Sequence, residues 1–240
     1  MFFKKDLWLS DVLNNNVFSL SHFSDNQKNL LIKSFSDFCD KYILQNLFIF
    51  TKVKTDLIKN IHILEDLGFK LIDTNVLFKR EGQLKLEMQL KDNLEIRFAE
   101  KSHKIYLGEI AYSNFIYSRF HIDPHIKKKH ADNLKKKWVE NFFLNKRGDY
   151  MVVALHKNKP IAFLQLILKG RNLIIDLIAV SFNYRGQKIG TALINFASEN
   201  IKSEKILVGT QISNIPSIKL YQKLGFNHFE SDYVFHYHNL

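Results

Sequence analysis

Cysteine and proline are nearly missing from these 240 residues, with one of the first and three of the second. The lone Cys39 excludes an internal disulfide framework and fits a reducing compartment. Nothing beside it suggests a nucleophile, so it reads as a small buried hydrophobe. Nine glycines and three prolines beside 46% apolar residues exclude collagen-like and low-complexity disordered classes. No apolar run approaches the ~20 residues that span a bilayer. The opening Met1-Phe-Phe-Lys-Lys-Asp-Leu-Trp-Leu-Ser carries charge inside its apolar stretch and lacks a signal-peptide profile. The expectation is a soluble cytoplasmic protein with no membrane partner.

Other signatures are absent too. Neither His121-Ile-Asp-Pro-His125 nor His236-Tyr-His238 is joined by a cysteine cluster or a His-Glu-x-x-His helix. Strand histidines or solvated turns account for both, and no metal is assigned. There is no Gly-x-Ser-x-Gly elbow and no Gly-x-x-x-x-Gly-Lys-Ser/Thr loop.

Acidic residues are sparse only over one stretch of the chain. Residues 1–95 hold 13 Lys+Arg and 13 Asp+Glu, whereas residues 96–240 hold 22 and 11, so the whole net charge of +11 sits in the latter. A basic field attracts polyanions such as CoA, nucleotide-sugar diphosphates and nucleic acid. A lysine-rich surface from compositional bias explains it equally well.

The periodicities describe a mixed α/β chain. Residues 24–45 fit a helix with Leu30, Leu31, Phe35, Phe38 and Tyr42 inward. Phe48-Ile-Phe50 is a short strand, residues 56–67 a helix ending at Gly68, and 69–73 and 75–79 two strands. The polar stretch at Lys91-Asp-Asn and the change in charge balance mark a boundary. The expectation is a small α/β domain over 1–93, lining a substrate cleft, and a second domain over 94–240. In the second, Leu94-Glu-Ile-Arg-Phe-Ala opens with a strand, and helices begin at about Lys104. Residues 126–145 form a helix with Ile126, Leu134, Trp138 and Phe142 on one face and its lysine runs on the flanks and outer face. Tyr150 to Leu155 and Ile161 to Leu168 pair as a hairpin across Lys157-Asn-Lys-Pro160. The strand 173–180, helix 188–201, strand 206–211, helix 215–224 and a closing hairpin near 226–238 complete the set.

One junction carries chemistry. The apolar strand 173–180 leads into Arg185-Gly186-Gln187-Lys188-Ile189-Gly190, a turn that opens a helix. A helix start leaves about four amides unpaired and carries roughly half a positive charge, which suits phosphate. Gly186 and Gly190 let a ligand approach the backbone. Downstream, Asn214-Ile-Pro-Ser-Ile-Lys-Leu-Tyr221-Gln-Lys-Leu-Gly225-Phe226 begins a second helix bearing a tyrosine.

This pairing resembles the GNAT superfamily of acyl-CoA-dependent N-acyltransferases. The Arg/Gln-x-x-Gly-x-Gly/Ala motif falls on residues 185–190, with Lys188 in place of the middle glycine. The Asn-x-x-Ala-x-x-x-Tyr-x-x-x-Gly-Phe motif falls on Asn214 to Phe226, with Ser217 in place of alanine. Ser118-Arg-Phe-His-Ile-Asp-Pro124 and Ala131-Asp-Asn-Leu134-Lys-Lys-Lys-Trp138 are similar to the dTDP-fucosamine N-acetyltransferases, with Lys135 where that family has tyrosine. Leu67 to Thr74, Asp176 to Val180 and Thr210-Gln211 extend the match over most of the chain.

The resemblance implies a GNAT-type mixed, mostly antiparallel sheet flanked by helices. It implies acetyl-CoA as co-substrate and, as acceptor, a dTDP-4-amino-4,6-dideoxyhexose or related nucleotide sugar. It places the pyrophosphate on residues 185–190 with Asn214 nearby, and implies a splay near Ile178, Ala179 and Val180 that frees amides for pantetheine and the thioester oxygen. Tyr221 would protonate the leaving thiolate. Asp176, two residues before Ile178 and on its face by the period of two, would hold or deprotonate the amine; an ordinary paired carboxylate is the alternative. Arg119 and His121 would meet the substrate, Arg119 through its planar donor fork. A homodimer is allowed. Two rivals stand beside this reading. One is acetylation of a protein N-terminus or small amine by the same chemistry. The other is a nucleic-acid module built on helix 126–145, which has no companion recognition helix and no interleaved exposed aromatics.

Overall fold

A computed structural model describes residues 2–89 and 93–239. Lys91 and Asp92, at the expected boundary, lie outside the described residues. In chain order the elements begin with β1 (Phe3–Lys5), α1 (Leu7–Leu13), β2 (Asn16–Leu20), α2 (Lys28–Lys41), β3 (Leu47–Lys54), α3 (Ile58–Asp66) and β4 (Lys70–Glu81). Then come β5 (Leu94–Phe98), α4 (Lys104–Asn114), α5 (Arg119–Ile122), α6 (Lys128–Phe143), β6 (Tyr150–His156) and β7 (Lys159–Lys169). The chain closes with β8 (Asn172–Val180), α7 (Ile189–Asn200), β9 (Lys205–Gln211), α8 (Ile215–Lys223) and β10 (Asn227–His238). None of the helices is long and apolar enough to cross a membrane, among the described residues.

Two compact units divide the chain. The first is Met1–Asn75, Arg119–His130 and Ser231–Leu240; the second is Val76–Ser118 and Ala131–Glu230. The position between residues 93 and 94 therefore falls inside the second unit.

In the first unit β1 and β2 are antiparallel, β2 and β3 parallel, and β3 and β10 antiparallel, with Phe50 opposite His236 and Lys52 opposite Val234. The period of two sends Ile49 and Val53 into a core with Leu31, Phe35, Ile61, Leu64 and Phe235. Phe48, Phe50 and Lys52 take the other face. Asp6 caps α1 through Leu9 N–H at 2.8 Å. Leu30, expected inward, is 58% exposed, because α2 turns Leu31 and Phe35 to the sheet instead. The strands expected at 69–73 and 75–79 are one strand, β4, since Thr74 continues it without a turn. The closing hairpin is likewise a single strand, β10.

In the second unit the strand order is β4-β9-β8-β7-β6-β5. β5 to β8 form an antiparallel meander, and β9 joins β8 in parallel. Lys157 and Asn158 both take positive φ (49° and 62°), the backbone that a tight hairpin requires. Along β6 the side chains alternate. Val152 and Ala154 pack with Ile189, Leu193 and Ala197 of α7, while Met151, Val153 and Leu155 pack with Leu107 and Ala111 of α4 and Val139 of α6. The fold is mixed α/β, mostly antiparallel and flanked by helices, as expected.

Candidate active site

The cavity at the centre of the second unit comes from a disagreement between two strands. β8 pairs with β9 from Asn172↔Lys205 only as far as Ile175↔Val208. On its other edge it stays paired with β7 as far as Val180↔Ala162. Residues 176–180 thus present a backbone edge with no strand partner, and the strands diverge slightly earlier than the expected position at Ile178. The resulting cavity measures about 580 Å³, and its walls include Ile178, Ala179, Val180, Gly209 and Gln211.

The divergence coincides with a β-bulge. Leu166 pairs with Ile175 and Gln165 with Leu177, leaving Asp176 without an opposite residue. A bulge inverts the alternation beyond it. Ile175 therefore packs with the α7 core, Leu177 with the α4 core, and Ile178 returns to the α7 side. This corrects the expectation that Asp176 and Ile178 share a face. Asp176 looks instead toward α6, where it accepts hydrogen bonds from Trp138 Nε1 (3.1 Å), Arg147 Nε (2.8 Å), Arg147 Nη2 (2.6 Å) and Gln165 Nε2 (3.0 Å). Its side chain is 8% exposed and still borders the cavity. Four donors occupy the lone pairs that a proton acceptor would use, so the carboxylate is built as an anchor.

The turn 185–190 has the form that the sequence suggests. Gly186 (φ 76°) and Lys188 (φ 60°) are left-handed, and α7 starts at Ile189 with no side chain capping it. Lysine pays a steric cost at a backbone angle that glycine adopts freely, which locates the reason for a glycine in related turns. The first bond of the helix runs from Ala192 N–H to Lys188 C=O, leaving the amides before it without helical partners. Gly186, Lys188, Ile189 and Gly190 all border the cavity; Gln187 does not, and its side chain donates to Asn183 C=O at 3.4 Å. Arg185 borders the cavity as well, and its side chain donates to Val180 C=O (3.1 Å) and to Asn114 C=O (3.1 Å). A Cβ on Gly190 would meet Leu220 Cδ2 at 3.3 Å, so this glycine also sets how closely α7 and α8 approach.

On the far wall Asn214 caps α8. Its Oδ1 accepts from Ser217 N–H (3.3 Å) and its Nδ2 donates to Thr210 Oγ1 (3.1 Å), tying the helix start to the end of β9. Further along α8, Tyr221 is 2% exposed, packed against Phe78 and Phe226. It borders the cavity, and no hydrogen-bond partner holds its hydroxyl among the described residues. Burial pushes its phenol well above the ordinary tyrosine range. The phenol therefore stays protonated at any working pH.

Sequence reasoning missed several residues. Lys135, expected on the outer face of its helix, is buried at 6% exposure. Its ammonium lies over Phe115 (5.0 Å) and Trp138 (4.6 Å) and borders the same cavity. Gln165 was legible in hindsight as the only polar residue in Ile161-Ala-Phe-Leu-Gln-Leu-Ile-Leu. Arg147 carried no signal. Nor did Arg80, which donates to the last carbonyl region of α8 at Leu224 C=O (2.8 Å). Arg119 and His121 belong to the first unit and do not line this cavity. The Arg119 guanidinium sits 4.1 Å over the Phe50 ring, with burial pulling its pKa down to about 10.

Residues 113–226 match the acetyltransferase (GNAT) family. Over 98% of its length the chain is 26% identical to the spore coat polysaccharide biosynthesis protein SpsD of Bacillus subtilis (strain 168), 82% of which is covered. A functionally unknown conserved protein from Staphylococcus epidermidis ATCC 12228 shares the fold with a TM-score of 0.70 at 15% identity, covering 99% of this chain and 91% of that one. A GCN5-related N-acetyltransferase from Sphaerobacter thermophilus does so at 0.66 and 10%, covering 99% and 75%. The chain carries an acetyltransferase domain of the GNAT family. It is an acyl-CoA-dependent N-acyltransferase.

Proposed function

We propose that the protein moves acetyl from acetyl-CoA to the amino group of a nucleotide-linked amino-deoxy sugar, in the cytoplasm. The supporting observation is the β8 edge with no strand partner, which faces both a turn of unpaired amides and an unengaged tyrosine hydroxyl. The relative named for spore coat polysaccharide biosynthesis favours a sugar acceptor over a protein N-terminus.

In this reading the pyrophosphate of CoA rests on the amides of 186–190, with the positive end of α7 behind them. Asn214 holds the start of α8 beside the pantetheine arm, and the open amides of 178–180 receive that arm and the thioester oxygen. The neutral acceptor nitrogen attacks the thioester carbon. The C–S bond breaks, Tyr221 gives its proton to the thiolate sulfur, and the phenolate recovers a proton released from the acetylated nitrogen. Burial that raises the phenol raises the departing thiol alike, keeping the transfer near balance. Asp176, which borders the cavity, is assigned to positioning and is itself fixed by Trp138, Arg147 and Gln165. Arg119 and His121, in the first unit, are given no part in this reading.

Release of free thiol from acetyl-CoA, followed across dTDP- and UDP-amino sugars, free amino sugars and peptides, tests the reading. The expected result is turnover with at least one nucleotide-linked amino sugar and a lower kcat/KM with the free sugar. Turnover confined to peptides or polyamines overturns it.

A further inference from the structure

Arg147 and Arg119 are each held against aromatic rings, but only Arg147 has partners for its donors. Arg147 lies 4.5 Å over Trp138 and closes its Nε–Nη2 edge on Asp176. Arg119, at the start of α5 in the first unit, lies 4.1 Å over Phe50 and 4.5 Å over Phe120. Ring faces fix the plane of a guanidinium without using its N–H groups. None of those groups on Arg119 has a hydrogen-bond or ion-pair partner among the described residues. Nη1 is closed off from solvent. Nε and Nη2 are not among the buried unpartnered atoms of this half-buried residue, so their edge is open. It is the same edge that Arg147 gives to a carboxylate.

A second cation stands beside it. Lys52 follows Phe50 by two positions on β3, so both side chains leave the same face, roughly 7 Å apart at their origins. Its flexible four-carbon stem can swing the ammonium over Phe50 toward the guanidinium. Lys52 is exposed and has no ion pair among the described residues, whereas Lys54, next on that face, has Asp232 at 3.6 Å. Desolvation, and next the repulsion of Arg119, pull the pKa of the Lys52 ammonium down. The carboxylates that act on Arg119 are Asp6, Asp123 and Asp73, and none of them bonds it. Asp6 is spent on the cap of α1. Asp123 accepts from His236 Nδ1 (2.5 Å), His238 Nε2 (2.9 Å) and the His125 backbone N–H (2.8 Å). Asp73 makes no ion pair with either cation among the described residues. Two cations that repel each other, with no carboxylate in contact with either, fit an anion brought from outside.

We propose that this face of the first unit binds a phosphate group, with two of its oxygens on the Nε–Nη2 edge of Arg119 and a third on the ammonium of Lys52. Phosphate matches the edge as a carboxylate does, and it carries the second negative charge that Lys52 answers. The group arrives either within a nucleoside diphosphate or as an inorganic ion, with the same contacts in both cases. None of these residues lines the acetyl-transfer cavity, and the test requires no turnover.

Full-length protein saturated with CoA, so that the turn at 185–190 is already filled, is titrated calorimetrically with inorganic phosphate, pyrophosphate, dTDP and acetate at low ionic strength. The expected result is one phosphate-bearing ligand per CoA-saturated chain, with acetate much weaker. Tighter binding of dTDP than of pyrophosphate upholds the site with a nucleoside diphosphate as source, and the reverse order upholds it with the inorganic ion. Lys52→Ala, at an exposed position, should weaken binding at least about threefold. Arg119→Lys keeps the charge and loses the fork, and should weaken it at least about tenfold. If Arg119→Lys fails to fold, Lys52→Ala carries the test alone. The variant comparison stands even if CoA proves to bind elsewhere than at 185–190. Absence of saturable binding, acetate held as tightly as phosphate, or unchanged affinity in Lys52→Ala overturns the proposal.

Discussion

Arg147 holds both carboxylate oxygens of Asp176, Nε at 2.8 Å and Nη2 at 2.6 Å, and lays the same guanidinium 4.5 Å over the Trp138 ring. This fork is what keeps a bulged, unpaired strand residue in one conformation. It also turns a residue that sequence alone presents as a base into one that organises its neighbours.

The consequence is measurable. Arg147→Met leaves a mostly buried carboxylate with only Trp138 and Gln165, and should cost roughly 2–4 kcal/mol in denaturant unfolding. Asp176→Asn should be destabilising as well, yet lower kcat less than about tenfold without moving the acid limb of the pH–rate profile. A loss of 100-fold or more in kcat with normal stability would restore Asp176 as the base.

Tyr221→Phe removes a hydroxyl that has no partner, so nothing buried is orphaned and stability should hold. Turnover should fall by about 10²–10⁴-fold with little change in the KM for acetyl-CoA. Because burial raises the phenol above its usual range, the acid form persists into alkaline solution. The wild-type rate should therefore show no descending limb from Tyr221 near the ordinary phenol pKa of ~10. A descending limb there that disappears in the Phe variant would show an exposed, ordinary tyrosine.

How much of this was legible depended on how local the cause was. The turn 185–190 and the Asn214 cap are written in consecutive residues, and the splay follows from the same motif. The bulge is not: β8 reads as an even apolar run, and only its pairing with β7 shows that Asp176 has no opposite number and that Ile178 changes face. Lys135 misled because a lysine on an amphipathic helix reads as solvent-facing, whereas Phe115 and Trp138 supply aromatic faces that let the ammonium lie buried. The union of Asp123 with His236 and His238 spans more than a hundred residues and depends on β10 being one strand rather than a hairpin.

Asp73 in the first unit offers a pH-dependent check. Burial raises its carboxyl to about 6, opposed by the Thr74 amide and by Lys52 and Arg119, and Oδ2 is buried without a partner. A raised acid pKa means stability that is fully present below the unfolded value near 4 and lost as pH rises through 6. Asp73→Asn should remove this dependence and stabilise the protein at pH 7 by on the order of 2 kcal/mol. Denaturant midpoints at pH 4.5 and 7.5 compare the two chains; an equal pH response in both would remove Asp73 as the source.

Gly225 ends α8 in a left-handed conformation, φ 75°, and a Cβ there would lie 2.5 Å from Arg80 Nη1. That nitrogen donates to Leu224 C=O, so arginine and glycine together terminate the helix that carries Tyr221. Gly225→Ala should cost about 1–2 kcal/mol for the backbone angle, and about 1 kcal/mol more for the displaced hydrogen bond. Arg80→Ala should lose the same hydrogen bond alone. Since that bond can be lost only once, the double variant should be less destabilised than the sum of the single ones by about 1 kcal/mol, a coupling that a double-mutant cycle resolves. The loosened helix end should also lower kcat in both single variants, because the phenol must reach the thiolate within hydrogen-bond distance. Strict additivity in stability would mean that Arg80 and Gly225 act separately, and would detach the helix cap from the placement of Tyr221.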